Sequence, residues 1–368
     1  MKGRVAVSQG HHQPMEIREY PVAPPPDDEI LVKVTAAGIC GSDLHMWRGE
    51  FLGFHAPGCV PGHEMAGRVA ALGKNRKTDT LGRPLKEGDR IAYAYFQPCG
   101  SCWACLTRSA GCPNRYWKRG GKSATEAPHF WGAYGDYYYL GADQWVFKVP
   151  DELSDAVVAP VNCALSQMIY GLNKIQVWLG DTVVIQGAGG LGLNACAVAK
   201  SMGAGTVVAI DRIPGRLEMA KAFGADETID LNEYPTKEAR VERVKQLTSG
   251  VGADACVEVV GVPAVVQEGI EMLRIGGRYL LVGNIVPGLP AEIVPHDLTR
   301  TPRYVQGVVS YEGWVLPRAL DWLVRVKDQY PFDKLVSHTY PLEQINQAFE
   351  QAEWLGKTGQ VLRAFVTM

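Results

Sequence analysis

From Ile30 to roughly Ala94 the chain alternates short β-branched runs with Gly, Pro and Asp turns, as in Ile30-Leu31-Val32-Lys33-Val34 and Gly67-Arg68-Val69-Ala70. Apolar runs of strand length bounded by turn formers predict a compact β-rich domain. A stretch rich in aromatics and glycine, Tyr116 to Tyr139, follows it. Near Asp155 the apolar positions take up helical spacing that runs toward Asn173, and a domain crossover is placed there. From Thr182 the pattern reads strand (Val183 to Ile185), Gly-rich turn (Gly187 to Gly192), helix (Leu193 to Met202) and strand (Val207 to Ile210), a βαβ unit. Strand-like runs at Ala255 to Val260 and Tyr279 to Val282 continue the alternation with helices that a parallel, doubly wound sheet requires. Beyond about Ser310 the pattern predicts helices at Leu316 to Val326 and Leu342 to Ala352 and a last strand at Gln360 to Val366. The expected class is α/β, a doubly wound parallel sheet preceded by a β-rich domain.

Length supports that division, since 368 residues exceed what one hydrophobic core usually serves. Charge adds an exclusion. With 37 basic and 39 acidic residues the net charge is -2, which gives no electrostatic reason to expect nucleic acid or an anionic membrane as partner. The amino-terminal run Met1-Lys2-Gly3-Arg4-Val5-Ala6-Val7 has no long apolar core, and no later stretch is apolar for long enough to span a bilayer. A cytoplasmic protein is expected. Nine cysteines would stay reduced in that compartment, and four of them crowd into Cys99, Cys102, Cys105 and Cys112, which favours metal over disulfides.

Three groups of residues carry candidate chemistry. Gly187-Ala188-Gly189-Gly190-Leu191-Gly192 is a G-x-G-x-x-G directly after an expected strand and at the mouth of an expected helix. Its glycines permit a tight turn and close approach of backbone to a pyrophosphate, and the helix N-terminus offers free N–H groups to the anion. Asp211 ends the next strand at the distance expected of a ribose-binding acid, and this combination predicts NAD binding. Cys99-x-x-Cys102-x-x-Cys105 with Cys112 supplies four soft ligands in one short loop, a set suited to a closed, structural zinc and also to an iron–sulfur cluster, with zinc preferred. The third group is Gly38-Ile39-Cys40-Gly41-Ser42-Asp43-Leu44-His45, then Gly62-His63-Glu64, then Asn162-Cys163. A Cys, His, Cys set would suit a catalytic zinc with one open position, but no regular spacing links the segments. From spacing alone each reads more readily as a packed core residue.

The order "GICGSDLH", "PGHEMAGRV", four-cysteine loop, "GAGGLG" and terminal "GKTGQVLR" resembles the zinc-containing medium-chain dehydrogenase/reductases, the alcohol dehydrogenase family, over nearly the whole chain. The resemblance implies that Cys40, His63 and Cys163 hold a catalytic zinc. Glu64 would lie behind the metal as a transient ligand, and Asp43 would orient the ligand histidine. Ser42 and His45 would pass the alcohol proton to solvent through the cofactor ribose, and Arg363 would meet the cofactor pyrophosphate. Residues 1–164 and 310–368 would form a GroES-like catalytic domain and 165–309 a Rossmann NAD-binding domain, with two zinc ions per subunit.

The same resemblance implies an NAD-dependent zinc alcohol dehydrogenase that acts on a small alcohol or carbonyl compound as a homodimer or homotetramer. Polyol dehydrogenases of the family usually hold Glu where this chain has Cys163, which argues against a sugar alcohol. Trp47, Phe51, Phe54 and Tyr95 border the metal in the family, and Trp117, Phe130, Trp131 and Tyr134 make the following loop unusually aromatic. Such a lining would favour an apolar or cyclic alcohol, although the same aromatics would serve equally to pack loops or an interface. A polyol or amino-alcohol dehydrogenase and a non-catalytic dinucleotide-binding protein are the alternatives. Arg212, next to Asp211, leaves NADP open because it could receive a ribose phosphate.

Overall fold

A computed structural model describes residues 1–50, 56–107, 112–114, 121–358 and 363–368, without the side chains of 354–357. The chain forms two compact units, one of Met1–Cys163, Leu316–Lys327 and Phe332–Met368, the other of Ala164–Val315 and Asp328–Pro331. The return to the first unit thus comes at Leu316, not at 310, and four residues after Lys327 go back to the second.

In the first unit, β1 (Lys2–Val7) and β2 (Glu16–Pro21) make an antiparallel pair. The main sheet is built from β3 (Ile30–Gly38), β4 (Glu64–Leu72), β5 (Arg90–Tyr93), β6 (Tyr137–Leu140) and β7 (Val146–Lys148), joined by two strands from the far end of the chain. Strand β3 is its hub. Along one side it pairs antiparallel with β4 over nearly its whole length. On the other, β6 takes Ile30 to Lys33 and leaves Ala36 to Gly38 open to a later strand. Apolar side chains of these strands, among them Val32, Val34, Met65, Val69, Ile91 and Tyr93, form one continuous core.

The second unit holds β8 (Thr182–Gln186), β9 (Thr206–Asp211), β10 (Glu227–Asp230), β11 (Ala253–Glu258), β12 (Leu273–Leu281) and β13 (Tyr304–Gly307). They lie in the order β10-β9-β8-β11-β12-β13, every pair parallel. This is the strand order of the Rossmann fold, in which the direction of winding reverses beside the first strand. Helices Gly190–Ser201, Pro214–Ala222, Lys237–Leu247 and Val265–Met272 connect successive strands. Helix Lys237–Leu247 begins where the Thr236 side chain accepts the Ala239 N–H, and proline opens Pro214–Ala222, where a missing N–H costs nothing. The chain ends with β14 (His338–Pro341) and β15 (Ala364–Thr367), the latter completing the open half of β3.

Three elements differ from the expectations. The helical spacing from Asp155 to Asn173 resolves into Asp155–Val158, a π-type turn over Val161–Leu165, and Ser166–Lys174, because Pro160 has no N–H to continue the first turn. The strand expected to reach Val260 stops at Glu258, whose carboxylate accepts the N–H groups of Val260 and Gly261 and turns the chain. The last strand starts at Ala364; residues 360–362 of the expected strand lie outside the described residues. No helix of the described residues is long and apolar enough to cross a membrane.

Candidate metal and dinucleotide sites

Antiparallel pairing of β3 and β4 sets Gly38 opposite Glu64, so the chain leaving β3 and the chain entering β4 are neighbours. Cys40 follows β3 and caps the helix Gly41–Trp47; His63 immediately precedes β4. Cys163 arrives from 99 residues beyond Glu64 on the π-type turn after Pro160, a local widening often found where a helix must aim a functional side chain. One ligand atom from each of Cys40, His63, Glu64 and Cys163 lies within 4.8 Å of the others. The two sulfurs are 3.8 Å apart, too far for a disulfide and close to the ~3.8 Å edge of a tetrahedron with ~2.3 Å zinc–sulfur bonds.

Cys40 and His63 are held from behind. The Asp43 carboxylate, wholly buried, accepts the Cys40 N–H on Oδ2 at 2.9 Å and faces His63 Nδ1 with Oδ1 at 3.3 Å. With Nδ1 facing the carboxylate, Nε2 would be the nitrogen offered to a metal. The His63 carbonyl accepts from Tyr93 Oη at 2.7 Å and Asn162 Nδ2 at 3.0 Å. Between the cysteines, the hydrogen bond from Cys163 holds the Cys40 thiol well below its ordinary range, and the same contact pushes Cys163 well above. Burial works against a charged His63, but Asp43 and Cys40 outweigh it and raise the imidazole. Two soft sulfurs and an imidazole are thus preassembled, a donor set that fits zinc.

Glu64 is wholly buried, and its partner is Arg363, whose Nη2 donates to both carboxylate oxygens. Register explains the pair: β15 sets Phe365 opposite Gly38 on one side of β3 and β4 sets Glu64 opposite it on the other, with Arg363 two residues before Phe365. A Cβ on Gly38 would collide with the Glu64 carboxylate, so glycine is what lets the acid reach across. Burial pushes Glu64 up to about 7, against the pull of Arg363. The guanidinium that the resemblance assigns to a pyrophosphate is instead buried on Glu64.

Ser42 and His45 sit one turn apart on Gly41–Trp47 and are half-buried. His45 Nδ1 meets Glu50 and, at 2.9 Å, Arg48 Nη2; Arg48 in turn reaches Glu353. Tyr95 lies against the His63 ring, with centroids 4.7 Å apart. Trp47 packs on the main core and edge-on to Phe349. Phe130, Trp131 and Tyr134, expected to line a pocket, are buried at no more than 6% exposure and pack in the first unit. Such burial fits their reading as packing residues. Phe51, Phe54 and Trp117 lie outside the described residues.

The four-cysteine loop also converges. Cys102 Sγ is 3.6 Å from both Cys105 Sγ and Cys112 Sγ, and Cys112 Sγ is 3.6 Å from Cys99 Sγ, again the edge length of a zinc tetrahedron. The backbone N–H of Cys99 points to Cys112 Sγ and that of Cys102 to Cys99 Sγ. The N–H of Ser101, with that of Cys102, lowers the Cys99 thiol to about 5. Around it, Trp103 and Leu106 of the short helix Trp103–Leu106 are mostly exposed, so a bound ion would supply the order that a core does elsewhere.

In the second unit Gly187 has φ +101° and Gly189 caps the helix Gly190–Ser201, which begins with Leu191 and Gly192 in its first turn. A Cβ on Gly192 would strike the Gly187 carbonyl, so the turn closes only with glycine there. The first-turn N–H groups have no partner within the helix and suit a phosphate. Asp211, at the end of β9, accepts Ala188 N–H on Oδ2 at 2.8 Å and the N–H groups of Arg212 and Ile213 on Oδ1. It is thus fixed against the turn. Arg212 is exposed; Arg216, overlooked in the sequence, brings Nη1 to 3.7 Å from Asp211 Oδ2. Its position in the first turn of Pro214–Ala222 was the available signal. Tyr93, Asn162 and Tyr134, which brace His63 and Asp43, were likewise not assigned these roles from sequence, and no spacing pointed to them.

Residues 26–151 match the alcohol dehydrogenase GroES-like domain and residues 190–325 the zinc-binding dehydrogenase family. The chain is 32% identical over 355 residues to 5-exo-hydroxycamphor dehydrogenase of Pseudomonas putida, covering 96% of this chain and 95% of that one. It is also 32% identical to sorbitol dehydrogenase of Bacillus subtilis, covering 92% and 90%. A crystal structure of an alcohol dehydrogenase from Thermotoga maritima superposes with a TM-score of 0.90 at 31% identity, covering 100% and 99%. With the strand order, the glycine turn and both cysteine clusters in place, the chain belongs to the zinc-containing medium-chain alcohol dehydrogenase family.

Proposed function

We propose that the protein is a zinc-dependent, NAD-linked alcohol dehydrogenase that interconverts an apolar or cyclic alcohol and its carbonyl compound. The observation that supports this most is the convergence of Cys40, His63 and Cys163, two thiols and an imidazole drawn from three distant segments into one cluster in which His63 and Cys163 are buried. Zinc held there supplies a Lewis acid to the substrate oxygen, and the nicotinamide supplies the hydride acceptor. Asp43 keeps His63 in the tautomer that offers Nε2. Ser42 takes up the alcohol proton and His45 releases it to water, a role suited to an imidazole. Arg363 would reach a pyrophosphate only by giving up Glu64, so we assign it to neutralising that carboxylate, which stands by as an exchangeable ligand. The first-turn N–H groups of Gly190–Ser201 take the pyrophosphate, and Asp211 accepts from the adenosine ribose. A ribose phosphate would face that carboxylate at close range, which favours NAD.

The four cysteines from Cys99 to Cys112 hold a second, structural zinc. We further propose a homodimer or homotetramer. Strand β13 is exposed along its length and pairs, among the described residues, only with β12. An open sheet edge with exposed Tyr304 and Val305 is a template for a second chain.

The substrate class rests on Tyr95 beside His63 and on the hydroxycamphor relative. A polyol or amino-alcohol reading is supported by the equal identity to the sorbitol enzyme and by the loss of Phe130, Trp131 and Tyr134 from any lining. Elemental analysis with a spectrophotometric panel of cyclic alcohols, sorbitol and threonine, each with NAD and NADP, tests the whole reading. Two zinc ions per chain and NAD reduction by cyclic alcohols are expected. A chain without a second zinc, or one that oxidises none of the panel, would overturn it.

A further inference from the structure

The Asp43 carboxylate has a third partner, from 91 residues away. Tyr134 Oη donates to Asp43 Oδ2 at 2.9 Å, beside the Cys40 N–H on the same oxygen. The Gly38 carbonyl lies near the hydroxyl too, at 3.2 Å, but a single O–H favours the shorter path to a charged acceptor. Tyr134 is wholly buried, edge-on to Phe349, with its ring over Gly62, the residue before His63. The ring is therefore fixed by packing, and its hydroxyl ends on the carboxylate that faces His63. Burial, reinforced by the Asp43 charge, pushes the phenol well above its ordinary range, so the hydroxyl stays a donor.

An aspartate carboxyl turns easily about its last torsion, and one backbone N–H on Oδ2 does not by itself fix where Oδ1 points. A second donor on the same oxygen does. We propose that Tyr134 is a positioning residue for the metal centre, its hydroxyl pinning Asp43 so that Oδ1 holds Nδ1–H of His63 and Nε2 is presented as a ligand. The proposal rests on the reading of Cys40, His63 and Cys163 as the zinc ligands. Phenylalanine would fill the same space, so the Tyr134→Phe variant removes the hydrogen bond without opening a cavity.

The test is zinc affinity, measured on the full chain by competition with a chromogenic chelator, with the four-cysteine ion as internal reference and thermal melting alongside. Groups behind a metal ligand are worth ten- to a hundredfold in affinity, and Tyr134 acts one step further out, so Tyr134→Phe should weaken this site about tenfold and leave the other unchanged. In an Asp43→Ala background the same change should fall within about twofold, because the carboxylate it acts through is gone. The cobalt-substituted Tyr134→Phe protein should show shifted d–d bands. Tyr139→Phe, which removes a buried hydroxyl that donates to the Ala23 carbonyl in the same unit, should do neither. Unchanged affinity in Tyr134→Phe, an undiminished effect without Asp43, or an equal effect of Tyr139→Phe would overturn the proposal. Wild-type protein that binds one zinc, retained by Cys40→Ala, would instead refute the ligand assignment and the proposal with it.

Discussion

The two cysteine clusters of the first unit have sulfur–sulfur spacings within 0.2 Å of one another, 3.6 and 3.8 Å, yet they are built in opposite ways. The Cys99 to Cys112 cluster takes all its donors from one short loop. Three of its cysteines are half-buried, and its helix carries exposed Trp103 and Leu106. The Cys40, His63, Cys163 cluster takes its donors from three segments brought together by β3, β4 and the turn after Pro160, and His63 and Cys163 are buried. On the proposed reading, a local set of ligands would leave the ion to organise the loop, whereas a distant set is organised by the fold and would leave its ion an open position for chemistry.

The largest expected effect breaks the pair apart. Cys163→Ala should abolish one metal equivalent and lower turnover about 10³-fold or more, the several kcal/mol that a Lewis acid contributes, while the four-cysteine ion stays. Cys105→Ser should do the converse, losing the other ion and the thermal resistance of the loop first, with activity following only as the protein unfolds. Metal analysis and steady-state rates on both variants check this, and loss of the same ion from both would merge the two sites.

Chelation sharpens the same contrast without mutation. Activity and one zinc should leave together and return on adding zinc, because the site that keeps an open position exchanges more readily. The second ion should leave later, and its departure should expose the loop around Cys99 to Cys112 to protease. Simultaneous release of both ions would contradict the division of labour.

Next in size is His45→Gln, which should reduce turnover by about tenfold to a hundredfold at acid pH and recover as hydroxide rises, since general acid–base steps are worth at least that much. Its Nδ1 lies between Glu50 and Arg48, outside the ligand set, so zinc content should not change. A pH profile identical to that of the wild type would remove His45 from the proton path.

The smallest effect comes from a pair outside both clusters. Asp136 accepts the Arg4 backbone N–H at 2.7 Å and its Nη2 at 2.7 Å. Burial works to raise the Asp136 carboxyl, and the hydrogen bonds and charge of Arg4 outweigh it and hold the group below the usual range. Asp136→Asn should therefore cost about 1–2 kcal/mol near neutral pH, measured by denaturant unfolding. A depressed carboxyl stabilises the fold above its unfolded value of ~3.9 and loses that contribution as pH falls through the folded value, so the difference from wild type should narrow in acid. Zinc content and turnover should be those of the wild type.

How far each region could be read from sequence follows from the same contrast. The glycine turn and its Asp211 were legible because a strand, a tight turn and a helix N-terminus impose fixed short spacings. The four cysteines were legible for the same reason. Cys40, His63 and Cys163 carried no spacing signal and came into view only through family resemblance. The aromatic loop stayed open between two readings, because composition alone does not distinguish a pocket lining from packing, and burial of Phe130, Trp131 and Tyr134 favours the second.

By itself the sequence determined the alternation of strands and helices, the dinucleotide turn and the four-thiol loop, all features whose partners lie within about a dozen residues or one βαβ unit. Only the tertiary structure decided that Arg363 closes on Glu64, that Tyr134 and the Cys40 N–H share one oxygen of Asp43, and that Tyr93 and Asn162 brace the His63 carbonyl. These contacts mostly join residues tens to hundreds of positions apart. They depend on which strands pair, in what register, and on the missing side chain of Gly38, and none of that is written in the spacing of the residues that meet.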